Sequence, residues 1–329
     1  MTASPTKKAR PTIWVLADDR AGNRGQCLGV ADALGLPCEV KELGYGPMAA
    51  LPNRLLGATF GGLNPESQAR LNPPWPDLVI AAGRRTGPVA RKIGRLGGAE
   101  SFLVQIMHPG AGARDFGLIA QPRHDKAATG ANIISITGAP HQLTAARLEA
   151  EAARWQGHFD DLPRPWIALV VGGSTRRRRF TKAMARELGG RASKMALSAG
   201  GSLLVTTSRR TGDDATDSLL AAVNAPCHVY RWGDETGVDN PYHGYLALAD
   251  GVVVTGDSVS MCSEACAGTG PVYIYAPKAL TVAKHARLHA DLYEQGYARP
   301  LAGVFAPWTH PPLNAAVEVA AAIRERLGL

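Results

Sequence analysis

The sequence predicts an α/β protein of two Rossmann-like domains facing a cleft. Three observations lead to that class. Short apolar runs alternate with helical stretches, the pattern of a parallel sheet with helices on both faces. The alternation pauses at a polar stretch, Asp160-Asp161-Leu162-Pro163-Arg164-Pro165, and restarts at once after it. A chain of 329 residues also exceeds what one hydrophobic core usually holds.

Residues 1–11 carry Lys and Pro and are expected to be disordered. The N-terminal domain, 12–160, opens with a strand at 12–17, a polar loop at 18–25 and a helix over 26–34. Further strands are expected at 38–43, 77–82, 101–107, 118–120 and 133–136, with a helix over 89–96. An Ala-, Glu- and Arg-bearing helix over 144–159 closes the domain. The C-terminal domain, 161–312, starts with a strand at 166–171, a Gly172-Gly173-Ser174 turn and a helix over 181–188. A strand at 202–207 ends in Ser208-Arg209-Arg210-Thr211, and a helix over 217–223 and a strand at 228–231 follow. Residues 252–275 read as buried strand, tight turn, short helix and second buried strand. An Ala-bearing helix covers 313–327, and the two halves show no internal repeat.

Composition narrows the function. Aromatics are 6% of the residues, so the core must be built from Ala, Val, Leu and Ile. No apolar run approaches the roughly 18 residues that span a bilayer. The basic start, Met1 to Arg10, has no apolar region after it and does not read as a signal peptide. Five cysteines, at 27, 38, 227, 262 and 266, lack zinc spacing and read as reduced thiols of a cytoplasmic protein. The net charge of +8 suits nucleic acid, a membrane surface or phosphorylated ligands, and equally a plain basic surface. Nucleic acid is disfavoured, because no recognition signature is present and aromatics do not interleave with the basic residues.

The polar turn within 252–275 is the strongest site signal. Thr255, Asp257, Ser258, Ser260, Ser263 and Glu264 crowd it. An apolar strand ending in Gly and small hydroxyl residues presents N–H groups and a helix start to an anion. Glu264, on the helix, is placed to accept from a ribose diol. Gly172-Gly173-Ser174 precedes the run Arg176-Arg177-Arg178-Arg179, and Arg209-Arg210 ends the next strand. Arginine forks suit phosphate, though both clusters also fit a solvated face. Asp18, Asp19, Arg20, Gly22, Asn23 and Gln26 fill the first loop, without dinucleotide spacing. Asp18 could serve as general base, with His108 and His124 behind it. His285 and His289 are spaced one helical turn apart but lack the Glu and third ligand of a zinc site. Asn240-Pro241-Tyr242 reads as a turn that could carry a ring or amide toward a base or sugar. The stretch 48–63 is apolar with Arg54 and no acid, and could cover a core or lie on a membrane.

Several of these pieces together resemble the mitochondrial-fission Elm family. They are Trp14-Val15-Leu16-Ala17-Asp18 with Arg20-Ala21-Gly22 and Gln26, then Pro122-Arg123-His124-Asp125, Gly172-Gly173, and Thr206 through Thr211. Asn240-Pro241-Tyr242 and Thr255 through Met261 with Glu264-Ala265 complete the set. The run from Gly256 to Val272 more distantly resembles the donor signature of GT-B glycosyltransferases, the peptidoglycan lipid-linked N-acetylglucosaminyltransferase among them. That resemblance implies that Ser258 and Ser260 meet a diphosphate, that Asp257 and Met261 belong to the donor site and that Glu264 holds the ribose. It implies that Gly172, Gly173 and Ser174 border the donor, with Ser208, Arg209 and Arg210 on phosphate. Arg20, Gly22, Asn23 and Gln26 would then lie on the acceptor side, and residues 313–329 would pack back on the first domain. No metal and no resident cofactor are implied, the departing diphosphate being stabilised by arginines and helix dipoles.

The expected function is transfer of a sugar from a nucleotide-diphosphate sugar to a hydroxyl, on a membrane lipid or envelope glycan. The expected location is the cytoplasm, with peripheral contact at the inner face of the plasma membrane. Two rivals stand beside it: a non-catalytic scaffold of the same fold in membrane or division processes, and a nucleotide-sugar epimerase.

Overall fold

The computed structural model describes residues 10–98, 101–125, 129–233 and 239–329. Most of the segment expected to be disordered, residues 1–9, lies outside the described residues. The chain divides into two compact units. Unit 1 comprises Met1–Ile136, Pro140–Gln142 and Ala315–Leu329, and unit 2 comprises Thr137–Ala139 and Leu143–Asn314.

Unit 1 runs β1 (Ile13–Asp18), α1 (Ala21–Leu34), β2 (Glu39–Leu43), α2 (Asn53–Leu56), α3 (Pro65–Ala69), β3 (Leu78–Ala82), α4 (Thr86–Gly97), β4 (Phe102–Ile106), β5 (Leu118–Pro122) and β6 (Ile133–Ile136). Its strands form a parallel sheet in the order β2-β1-β3-β4-β5-β6. Both faces are covered, and β1, β3 and β5 are buried at every position, as a sheet between two helix layers requires.

Unit 2 runs α5 (Ala145–Trp155), β7 (Trp166–Val170), α6 (Lys182–Ser198), β8 (Ser202–Thr206), α7 (Asp213–Leu220), β9 (Cys227–Tyr230), α8 (Tyr242–Leu248), β10 (Gly251–Thr255), α9 (Val259–Ala265), β11 (Val272–Tyr275), α10 (Ala283–Glu294) and β12 (Arg299–Pro300). Its sheet is also parallel, in the order β12-β11-β10-β7-β8-β9. The last helix, α11 (Ala315–Leu327), follows all of unit 2 and packs in unit 1. Its Ala315, Ala316, Val319, Ala320 and Ile323 share a core with Val30, Leu34, Leu118 and Ile136.

In each sheet the strand order reverses beside the first strand. In unit 1 the chain turns from β1 outward to β2 and then back to β3, and in unit 2 the reversal lies between β7 and β10. Loops diverge at such points and leave a crevice at the carboxyl ends of the strands. The two crevices are therefore bordered by Asp18 and Gly83 in unit 1, and by Gly172 and Asp257 in unit 2.

Several elements differ from the sequence expectation. Helix α1 begins at Ala21, five residues earlier than the loop at 18–25 allowed, so Gly22 and Asn23 are helical. Tertiary bonds outweigh the poor helix propensity of Gly and Asn there: Asn23 Nδ2 donates to Asp18 at 2.7 Å. Helix α5 lies in unit 2, where Trp155 stacks on Phe159 with centroids 6.1 Å apart. The Asn240-Pro241-Tyr242 turn opens a helix, α8, with Pro241 at its N-cap.

Candidate functional site

The unit 2 crevice is built on two strand ends. Gly172 N–H donates to Thr255 Oγ1 at 2.7 Å, and Gly173 N–H donates to Asp257 Oδ2 at 3.0 Å. Ser174 N–H donates to the Arg210 carbonyl at 2.9 Å. The Gly-Gly-Ser donors are thus spent inside the protein. Gly173 has φ 149°, and a Cβ there would lie 2.1 Å from the Arg210 carbonyl oxygen. Close approach of two loops, rather than room for a ligand, explains that glycine.

The next loop is braced in the same way. Ser208 Oγ donates to the Gly172 carbonyl at 2.7 Å. Arg210 Nη1 pairs with the fully buried carboxylate of Asp257 at 2.6 Å, so its charge serves the loops. Arg209 is exposed and makes no ion pair among the described residues, and Arg176 to Arg179 are all exposed. The cations left for phosphate are therefore Arg209 and the 176–179 run. On α9, Ser258 Oγ caps the helix by accepting from Met261 N–H at 3.4 Å, while Ser260 is part-exposed beside it.

Glu264 is partly buried on α9, and its Oε2 accepts from the Tyr242 hydroxyl at 2.6 Å. Burial pushes the Glu264 carboxyl up to about 7, and the Tyr242 hydrogen bond opposes that rise. A cavity of about 270 Å³ lies alongside, lined by Thr207, Ser208, Arg209, Trp232, Tyr242 and Met261 among others. Small-molecule sites start at roughly 300 Å³, so it suits a nucleoside-sized group. Sequence reasoning missed Trp232. Its backbone N–H is held by Thr207 Oγ1 at 3.0 Å, and its indole is 48% exposed.

The two histidines of α10 divide. His289 is buried, its Nε2 donates to the Gly256 carbonyl at 2.9 Å, and burial pushes its ring down to about 4. His285 feels Asp257 and Arg210, and burial lowers it too. Among the described residues no group of three His, Cys, Asp or Glu side chains is placed to hold a metal ion.

In unit 1 the structure brings Asp18, Asn23 and Arg85 together. Asp18 ends β1, is 2% exposed, and accepts from Arg20 N–H at 3.2 Å, from Asn23 and from Arg85. Arg85 also bonds Asp19 and lies 4.1 Å over the Tyr45 ring. Burial raises the Asp18 carboxyl, whereas Arg85 lowers that of Asp19. Gly83 has φ 81°, and a Cβ there would meet Asn23 Nδ2 at 2.5 Å, so glycine lets β3 end against α1. Gln26 is buried beside this cluster, while Arg20 and Gly22 are exposed.

His108 follows β4 and is exposed, with Nδ1 accepting from Gly110 N–H at 3.1 Å. His124 follows β5 and is 1% exposed, so of the two only His108 meets solvent. Asp18, Arg85, His108 and His124 all stand at the carboxyl edge of one sheet. The stretch 48–63 lies at that edge as well. Arg84 bonds the Ala49 and Leu51 carbonyls, and Asn53 Nδ2 donates to the Arg84 and Pro109 carbonyls at 2.8 and 2.9 Å. It buries Ala49, Asn53 and Leu63 but leaves Met48, Leu51 and Leu55 exposed at 51%, 40% and 68%.

Comparison with known proteins agrees with the motif pattern. Residues 21–327 match the family described as Mitochondrial fission ELM1. The chain belongs to the mitochondrial fission ELM1 family. It is 31% identical to Mitochondrial fission protein ELM1 of Arabidopsis thaliana over 77% of its own length and 64% of that relative's. This ELM1-family chain therefore spans less than two thirds of the plant protein. It is 29% identical to an uncharacterised Rickettsia prowazekii protein, over 95% of this chain and 97% of that one. Among solved structures, UDP-GlcNAc 2-epimerase of Methanocaldococcus jannaschii, in complex with UDP-GlcNAc and UDP, matches with a TM-score of 0.55. That match has 11% identity and covers 97% of this chain and 100% of that one. The likeness shows the fold: this ELM1-family protein has the two-sheet GT-B arrangement. Among its described residues no helix is long and apolar enough to cross a membrane.

Proposed function

We propose that this ELM1-family protein is a metal-independent glycosyltransferase that takes a sugar from a nucleotide-diphosphate sugar. The observation that carries the reading is the cavity at the carboxyl ends of β7 and β8, whose wall residue Tyr242 donates to the Glu264 carboxylate. In this reading Glu264 accepts from the ribose, Ser258 and Ser260 meet the diphosphate, and Arg209 with the 176–179 arginines balances its charge. Arg210 and Asp257 tie the loops together, and Gly172, Gly173 and Ser208 brace them. Unit 1 would serve the acceptor, with Asp18 as the base that receives the hydroxyl proton. Asn23 and Arg85 position that carboxylate, Gln26, Arg20 and Gly22 flank it, and His108 is the exposed second candidate. The exposed Met48, Leu51 and Leu55 beside Arg54 support a lipid or envelope-glycan acceptor met at the inner membrane surface from the cytoplasm.

Uridine, guanosine and cytidine diphosphates should raise the melting temperature, and Glu264→Ala should remove the effect. Binding that survives Glu264→Ala unchanged would sink the ribose assignment. Asp18→Asn should abolish nucleotide release from a nucleotide sugar yet leave nucleotide binding intact. A scaffold role, suggested by the plant relative's name, predicts no turnover in either protein. Epimerisation, suggested by the name of the fold neighbour, predicts an altered sugar from donor alone.

A further inference from the structure

The Asn240-Pro241-Tyr242 turn has no role in the transfer chemistry, yet the fold invests in its geometry. Asn240 Oδ1 accepts from Tyr242 N–H at 3.0 Å, which sets the turn and starts α8. Tyr245, one turn on, is fully buried, and its hydroxyl meets His228 Nδ1 at 2.6 Å. Gly244 lies so close to the Trp155 ring that a Cβ would come within 2.2 Å of it. Helix α8 is thus pinned at its second and third positions beyond Tyr242. From there the Tyr242 hydroxyl donates to Glu264 Oε2 at 2.6 Å, and Tyr242 lines the cavity.

We propose that Tyr242 is the positioning residue of the nucleotide site: its hydroxyl holds one Glu264 oxygen so that the other is presented to a ribose hydroxyl, and it sets the pH at which the nucleotide binds. This rests on the reading of Glu264 as the ribose ligand. A ribose hydroxyl donates best to an ionised carboxylate. Burial pushes Glu264 up to about 7, so the ligand-free site holds a proton below that pH and must lose it to bind. The Tyr242 hydrogen bond lowers the carboxyl, so it makes the ionised form available near neutrality. The titratable groups that interact with Glu264 are the Tyr242 phenol from α8 and the Cys262 thiol from its own helix. Burial and the Glu264 charge push both upward, which leaves both neutral at pH 7. Among the described residues no Lys or Arg forms an ion pair with Glu264.

The test is calorimetric titration with uridine, guanosine and cytidine diphosphates from pH 5.5 to 8.5 on the wild type, Tyr242→Phe and Glu264→Ala. Phe keeps the ring and the cavity wall and removes only the hydroxyl. Wild-type affinity should rise with pH through about 7 with proton release. Tyr242→Phe should bind about fivefold more weakly at pH 7 and converge with the wild type toward alkaline pH. In the ligand-free protein, the carbon-13 carboxyl signal of Glu264 should titrate at higher pH in Tyr242→Phe. An unchanged carboxyl titration, or an unchanged pH profile while Glu264→Ala abolishes binding, overturns the role of Tyr242 and spares the nucleotide site. Wild type that binds none of the three nucleotides, or Glu264→Ala that binds them normally, overturns both.

Discussion

The Arg85 guanidinium is one of three groups that offset the effect of burial on the Asp18 carboxyl. Burial and the Asp19 neighbour raise the Asp18 carboxyl, while Arg85, Asn23 and the Arg20 N–H pull the other way. A base must be ionised to act, so transfer should rise with pH through the Asp18 titration. Arg85→Gln takes away a lowering partner, so the rise should move to higher pH. The loss should be largest on the acid side of that rise and recover in part above it, read as nucleotide release against pH. A uniform loss at every pH would show that Arg85 acts on packing alone. Asp18 was legible in the sequence, because a carboxylate that ends an apolar strand stands out. Arg85 was not, because it meets Asp18 across 67 residues of chain, and no local spacing encodes such a contact. Arg210 shows the reverse: its cluster was legible, but its partner, the Asp257 carboxylate, decides what it does.

At the scale of elements, the segment around α2 shows why composition alone left two readings open. From Gly44 through Pro65 it has no acidic residue, and apolar side chains are spread along it. Only the fold sorts them: the 3-10 turn Pro47–Ala50 and α2 put Ala49 and Asn53 inward, and Met48, Leu51 and Leu55 outward. The outward set predicts membrane contact. Replacing Met48, Leu51 and Leu55 with Ser should cut co-flotation with phosphatidylglycerol vesicles several-fold. Exposed positions bear little on stability, so each change should cost about 0.5 kcal/mol or less by thermal denaturation. Flotation equal to wild type would remove this segment from consideration. Helices α1 and α8 carry the complementary lesson. Gly22, Asn23 and Pro241 read as loop by propensity, and side-chain bonds at the helix starts, Asn23 to Asp18 and Tyr242 N–H to Asn240, draw their neighbours into helices.

On the scale of the whole molecule, the alternating pattern made two parallel sheets legible, since the most apolar runs became the buried central strands β1, β3, β7, β8 and β10. Strand order was not legible, because it depends on which runs pair. Where that order reverses, Asp18 meets Arg85 in unit 1 and Gly173 meets Asp257 in unit 2, so polar residues scattered through the sequence gather there; the unit 2 cavity opens beside that point, at the ends of β7 and β8. The crossing of α11 can be tested separately. Ile323 is fully buried among unit 1 side chains, and Ile323→Ala should cost about 2–4 kcal/mol. Urea unfolding followed by probes in each unit should show the loss in unit 1 alone. Equal loss in both units would mean that the two unfold as one.

The path of α11 also bears on synthesis. A ribosome makes residues 315–329 only after every residue of unit 2. Until then the unit 1 sheet lacks the helix that covers Val30, Leu118 and Ile136, although its strands have long since emerged. Unit 2 carries no such debt, since all its strands and helices lie in one stretch after Leu143. The half made second is therefore able to finish folding first, and the half made first must wait, with the β5 and β6 part of one sheet face uncovered, for the last helix of the chain.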